Sequence, residues 1–113
     1  MREIRFRAWD IKVGKMVQSI FNQPTTPEWF IERTQRYVVM QFTGLKDKNG
    51  KPIYENDIVD YLEDKCLLRW SNICARYVLD CRGLEARYFV NEETVLDTTV
   101  LGNIYENPEL LKV

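Results

Sequence analysis

Residues 3–8, Glu3-Ile4-Arg5-Phe6-Arg7-Ala8, alternate polar and apolar, which is the period-two pattern of a half-buried strand. That alternation predicts Ile4, Phe6 and Ala8 on the core side and Glu3, Arg5 and Arg7 on the water side. Trp9 ends the run, Asp10 to Gly14 reads as a turn, and residues 15–21 predict a second strand. Residues 3–21 therefore form a candidate hairpin. Thr26-Pro27-Glu28 carries the marks of a helix start: a threonine cap, a proline in the first turn and an acid near the positive end of the dipole. A short helix carrying Trp29 and Phe30 is expected to run to about Arg36.

The most informative stretch follows, from Met40 to Tyr61. Tyr37 to Phe42 is β-branched, aromatic and apolar, the composition of a strand. Thr43-Gly44 interrupts it. Asn49-Gly50 then accepts positive φ and predicts a sharp reversal. Pro52 has no N–H to donate, so it belongs at a strand edge or ahead of the ladder. Glu55-Asn56-Asp57 predicts a turn, because Asn and Asp side chains bond nearby backbone N–H groups. A strand resumes at Ile58 and runs to about Leu62.

Further short strands are predicted over 66–70, 73–79, 85–90 and 98–105. Turns are expected at 62–65, 71–72 and 80–83, with a loop or one helical turn at 91–94. Asn107-Pro108 resembles a capped terminal turn, with Asn107 as the cap. Close spacing without long helices predicts a mainly β fold with a small, strongly bent sheet or barrel over about residues 40–106. Within one domain spanning 1–113, residues 1–36 would hold the hairpin and one short helix, and 37–113 the barrel portion.

At 113 residues the chain suits a single compact domain, and its 45% apolar content supports a core. A formal charge of −1 argues against a protein whose main work is neutralising phosphates. The charge is uneven: residues 1–36 hold seven Lys and Arg against four Asp and Glu, and the remainder nine against thirteen. The absence of histidine removes the commonest metal ligand and general base. Cys66, Cys74 and Cys81 lack C-x-x-C spacing and are expected as small, reduced, buried hydrophobes. Charges run through the N-terminus where a signal peptide needs an apolar core, and no apolar segment approaches a bilayer span. A cytoplasmic, membrane-free protein without metal or cofactor is expected.

Three segments taken together carry a resemblance. They are Arg2-Glu3-Ile4-Arg5-Phe6-Arg7-Ala8-Trp9-Asp10, the central run from Met40 through Gly50 to Val59, and Gly102-Asn103-Ile104-Tyr105-Glu106-Asn107-Pro108-Glu109-Leu110-Leu111. In that order they resemble the YopX-like family of bacteriophage and prophage proteins. The resemblance implies a phage or prophage origin, an SH3-type β-barrel portion and self-association, and it carries over no catalytic residue. One departure is Glu55-Asn56-Asp57, where the family usually has Glu-Gly-Asp. Asn tolerates positive φ better than other non-glycine residues, so the turn is expected to persist.

Three function classes then compete. Asp47, Glu55, Asp57 and Asp60 cluster around the central turn, but acids beside strand ends usually cap turns, and no nucleophile motif accompanies them. No catalytic residue and no metal ligand is assigned. Arg2, Arg5 and Arg7, with Lys12 and Lys15, could form a basic face for nucleic acid, with Trp9 as a stacking platform. Given the overall acidity, the better reading is that Arg5 and Arg7 coat the outer face of an edge strand against aggregation. The best reading is a non-catalytic, homo-oligomeric accessory module that also contacts a phage or host protein. Trp9, Trp29 and Phe30 are its candidate self-association residues. Gly44, Asn49, Gly50, Asn56, Asp57 and Gly102 are assigned to structural turns.

Overall fold

The structure is a computed structural model that describes residues 4–18, 36–81 and 86–111. It is mainly β, with strands β1 (Phe6–Asp10), β2 (Lys15–Gln18), β3 (Tyr37–Lys46), β4 (Pro52–Tyr54), β5 (Asp57–Tyr61), β6 (Asp64–Ser71), β7 (Arg76–Cys81), β8 (Ala86–Phe89) and β9 (Thr98–Asn103). Two short 3-10 helices, Thr94–Asp97 and Pro108–Leu111, flank β9. The chain divides into two compact units, Met1–Phe42 and Thr43–Val113. The helix predicted from Thr26, with Trp29 and Phe30, lies outside the described residues, as does Arg2.

In the first unit β1 is the middle strand, antiparallel to β2 on one side and β3 on the other. Ala8 sits between Val17 and Val39, and Arg7 between Gln18 and Met40. The predicted hairpin is present, but the predicted facing of β1 needs correction. Arg7 is 7% exposed beside a fully buried Ala8, whereas Ile4 is 72% exposed. Alternation tells which residues share a face; it does not tell whether one face or both are covered. The strand also starts at Phe6, which leaves Ile4 ahead of the ladder. Asp10 closes the turn that follows. Its carboxylate accepts the Lys12 and Val13 N–H groups and both Arg36 Nε (3.0 Å) and Nη2 (2.8 Å). The Arg36 guanidinium first, and these backbone donors with it, hold the Asp10 carboxyl below its ordinary value against the opposing effect of burial.

The second unit is a small barrel-type sheet with strand order β8-β7-β6-β5-β9, all antiparallel. Ile58 pairs with Gly102 but Val59 with Val100, so Leu101 is an extra residue on β9. Such a bulge bends a strand and raises its twist, which is how a short sheet curls over its own core. The core comprises Ile53, Val59, Cys66, Leu68, Leu79, Cys81, Val90 and Val95. Each fully buried Leu, Ile or Val contributes roughly 1.5–3 kcal/mol.

The reversal at Asn49-Gly50 is present, but the break expected at Thr43-Gly44 is not: β3 runs through both residues to Lys46, so Gly44 lies inside a strand and not at a turn. Gly50 has φ of 81°, and Gly44 has φ of 87° within β3. Asp47 is buried, and it ties this turn to the end of the chain. Its Oδ1 accepts the Asn49 and Lys51 N–H groups and its Oδ2 accepts Val100 N–H, each at 2.9 Å. Burial disfavours the charged form, yet these three donors outweigh it and leave the Asp47 carboxyl below its ordinary value. Asn56 has φ of 68°, and Asp57 Oδ2 accepts the Tyr54 N–H at 2.8 Å.

Two assignments near the C-terminus change. Gly102 is not at a turn but inside β9. A Cβ there would lie 2.2 Å from Asn107 Oδ1, so the glycine makes room for that side chain. Asn107 does not cap the final helix with its side chain; its Oδ1 accepts the Asn103 N–H instead.

Candidate functional site

One end of the five-stranded sheet carries three exposed large apolar side chains, Trp70, Ile73 and Phe89. The β6–β7 loop spans Asn72 to Ala75, closed by the Ser71–Arg76 pair and by Ser71 Oγ accepting Cys74 N–H. A strand was expected to begin at Ile73, but it starts three residues later at Arg76. Ala75 takes φ of 53° to complete the reversal. Ile73 stands at this tip 93% exposed. Trp70 is 44% exposed and meets Tyr77 edge-to-face at 5.1 Å. Phe89 is 51% exposed at the same end, paired with Val78, and Arg76 lies 4.0 Å over its ring. Trp70 and Tyr77 share one face of the sheet; Phe89 and Arg76 share the other. Aromatic side chains and Arg are enriched at protein interfaces, and this end carries Trp70 on one face and the Phe89–Arg76 pair on the other.

Farther along the outer face, Asp80 accepts from Arg69 Nε and from Arg87 Nε, the latter at 2.9 Å. Burial works against the Asp80 charge, but the two guanidinium groups prevail and its carboxyl stays below its ordinary value. The same pairing raises Arg87. The three charges are partly exposed, so they add little to stability.

The inner face brings together a second group. Cys66 and Cys81 are directly opposed on β6 and β7, with Cα atoms 4.2 Å apart. This is the spacing of a non-hydrogen-bonded antiparallel pair. The two are joined by a disulfide and both are buried. The expectation of three reduced cysteines is thus corrected for this pair. Their separation of fifteen residues carries no signal until the strand register is known. Cys74 is the free cysteine and is half-buried in the β6–β7 loop. Asp64 lies two residues before Cys66 on the same face, and one of its carboxylate oxygens, Cys66 Sγ and Cys81 Sγ all lie within 4.8 Å of one another. Asp64 Oδ1 accepts the Lys65 N–H, while its Oδ2 is buried with no hydrogen-bond partner among the described residues.

The residues named from sequence are scattered by comparison. Trp9 is half-buried, between Met16 and Val38 in the sheet. Arg5 stacks over Phe42 at 5.0 Å, and Arg7 is buried. Burial keeps Arg7 off an open face, Lys12 and Lys15 are exposed, and Arg2 lies outside the described residues. Asp47 and Asp57 direct carboxylate oxygens at backbone N–H groups, the capping role expected of them. Trp70 belongs to the aromatics that the sequence offers as interface anchors if exposed, but strand-like runs of apolar residues carry no mark of which end of a strand outlasts the core, so its exposure and that of Phe89 have no local signal.

The family model described as YopX protein matches residues 18–112. A crystal structure of protein EF1440 from Enterococcus faecalis is similar over 99% of this chain and 100% of that one, with a TM-score of 0.75 and 25% identity. No curated protein matches the chain. Among the described residues, no helix is long and apolar enough to cross a membrane.

Proposed function

This chain belongs to the YopX family, and on that premise we propose that it is a non-catalytic interaction module of phage or prophage type that assembles with further copies of itself. The observation that carries the reading is the exposed apolar end of the second unit, where Trp70, Ile73 and Phe89 stand in water. Ile73 at 93% exposure has no role in the core. Burying these three against a partner removes apolar surface from water at roughly 25 cal/mol per Å². The absence of histidine and the commitment of Asp47 and Asp57 to the backbone support a binding role over chemistry. A second copy is the occupant we favour; a phage or host protein is the other occupant that such a surface suits. A bacterial cytoplasm is the setting we assign.

The test is solution mass by light scattering at several concentrations, for the natural chain and for an Ile73→Asp, Phe89→Asp variant. Both positions are exposed, so the fold should tolerate the change. The reading expects an oligomer that the double variant dissociates. A natural chain that stays monomeric at every concentration would overturn it.

A further inference from the structure

We propose that Cys66, Cys81 and Asp64 form a redox-gated site for a thiophilic divalent cation, zinc above all, which becomes available when the Cys66–Cys81 disulfide is reduced. Three observations carry this. The strand register places the two sulfurs side by side, on Cα atoms 4.2 Å apart. A carboxylate oxygen of Asp64 lies within 4.8 Å of both sulfurs. Asp64 Oδ2 is buried without a hydrogen-bond partner among the described residues. A buried, unsatisfied carboxylate oxygen is costly, and a bound ion is one of the few things that account for it.

The chemistry of the donors fits. Zinc takes thiolate sulfur at about 2.3 Å and carboxylate oxygen at about 2.0–2.2 Å in a tetrahedron. Two thiolates bound this way sit about 3.8 Å apart, a spacing that rotation about the two cysteine Cα–Cβ bonds can reach from opposed strands. The set supplies two sulfurs and one oxygen, which leaves the fourth position to water. Soft sulfur donors select zinc over magnesium or calcium. Asp64 is half-buried at the start of β6, so the group opens toward solvent on its side, while Cys66 and Cys81 lie in the core.

The redox balance is simple. A dithiol reductant gives two electrons and two protons; the Cys66–Cys81 S–S bond breaks, two thiols form, and the reductant closes to its own disulfide. Zinc then displaces both thiol protons to solvent and is held by two thiolates and the Asp64 carboxylate. A disulfide oxidant reverses the sequence: it takes two electrons from the two thiolates and two protons from solvent to become a dithiol, the Cys66–Cys81 bond re-forms and the ion is released. The oxidised form is the one the structure shows.

The experiment is a titration of the whole, reduced chain with Co²⁺, followed by the near-ultraviolet thiolate-to-cobalt charge-transfer band and by displacement with Zn²⁺. One equivalent should bind to the natural chain and to a Cys74→Ser variant, and none to the oxidised protein. Asp64→Asn should weaken binding at least tenfold while both cysteines remain. Cys81→Ser should abolish the band, with far-ultraviolet circular dichroism used to confirm the fold. Should Cys81→Ser fail to fold, Asp64→Asn decides, because it leaves the core intact. The proposal is overturned if the reduced natural chain shows no thiolate–cobalt band, if the band is lost on Cys74→Ser, or if Asp64→Asn binds as tightly as the natural chain.

Discussion

The β5–β6 hairpin turns on two residues that resist the conformation they hold. Leu62 and Glu63 have φ of 52° and 69°, and Tyr61 pairs with Asp64 across them. A two-residue loop with both central residues left-handed is the type I′ turn, whose twist matches that of the flanking strands. A residue with a Cβ, other than Asn or Asp, is disfavoured there by roughly 1–2 kcal/mol. Leu62 is 58% exposed, so replacing it removes little burial. Leu62→Asn, with a side chain that tolerates this region, should recover about 0.5–1 kcal/mol. Glu63→Gly should recover roughly 1–2 kcal/mol in the folded state and return about 0.4–1 kcal/mol to the freer unfolded chain. The double variant is therefore expected to gain about 1–2 kcal/mol, a rise in Tm of roughly 4–8 °C for a chain of this length. The assay is urea unfolding followed by tryptophan fluorescence, with the disulfide in the same state in both proteins. The midpoint should rise at constant slope, and Leu62→Val should lower it, since a β-branched residue fits this region worst. An unchanged or lower midpoint for the double variant, at the same slope, would refute a left-handed turn at Leu62–Glu63.

Two further outcomes follow from Asp47, which ties the central turn to β9, and from the close contact of Gly102 with Asn107. Asp47→Asn removes the charge that three backbone N–H groups surround, and it should cost about 1–3 kcal/mol at neutral pH by urea unfolding. Because the folded carboxyl lies below its ordinary value, its contribution is complete above the ordinary carboxylate range and is lost as pH falls through the depressed value. The variant should therefore lose less stability than the natural chain on acidification, with Asp10 and Asp80 supplying what acid sensitivity remains. A variant with the same acid sensitivity as the natural chain would contradict this. Gly102→Ala should destabilise by about 1–3 kcal/mol through overpacking against Asn107. Adding Asn107→Ala should cost less in that background than in the natural chain, and strict additivity of the two changes in thermal unfolding would argue against the contact.

The central run shows how much of the fold was legible from sequence. Asn49-Gly50 reverses the chain as its residues demand, and Asn56 takes the positive φ that Asn tolerates better than other non-glycine residues. These are local rules, satisfied within four residues. The burial of Arg7, the Cys66–Cys81 bond and the placing of Asp64 beside it are not local. Each depends on which strand lies opposite, and that partner can be fifteen or more residues away. The sequence predicts a charged turn over 62–65 but not its left-handed form, because neither Leu62 nor Glu63 prefers positive φ; pairing of β5 with β6 overrides their preference. Exposure of Ile73 and Phe89 was equally invisible, since apolar residues in a short run look alike whether they end inside the core or beyond it.

The bond from Val100 N–H to Asp47 Oδ2 spans 53 residues, and this sets an order of events during synthesis. The chain leaves the ribosome from its N-terminus. β3 through β8 can emerge and pair locally, but β5 has its second neighbour only when residues 98–103 arrive. Until then Asp47 is a carboxylate with one oxygen still facing water, and one edge of β5 is open. Contacts of such long range are slow to form and leave edges exposed to other chains meanwhile. A nascent or truncated chain ending before Thr98 is thus the species most prone to pair with a neighbour through β5, and arrival of the last strand is the step that covers that edge.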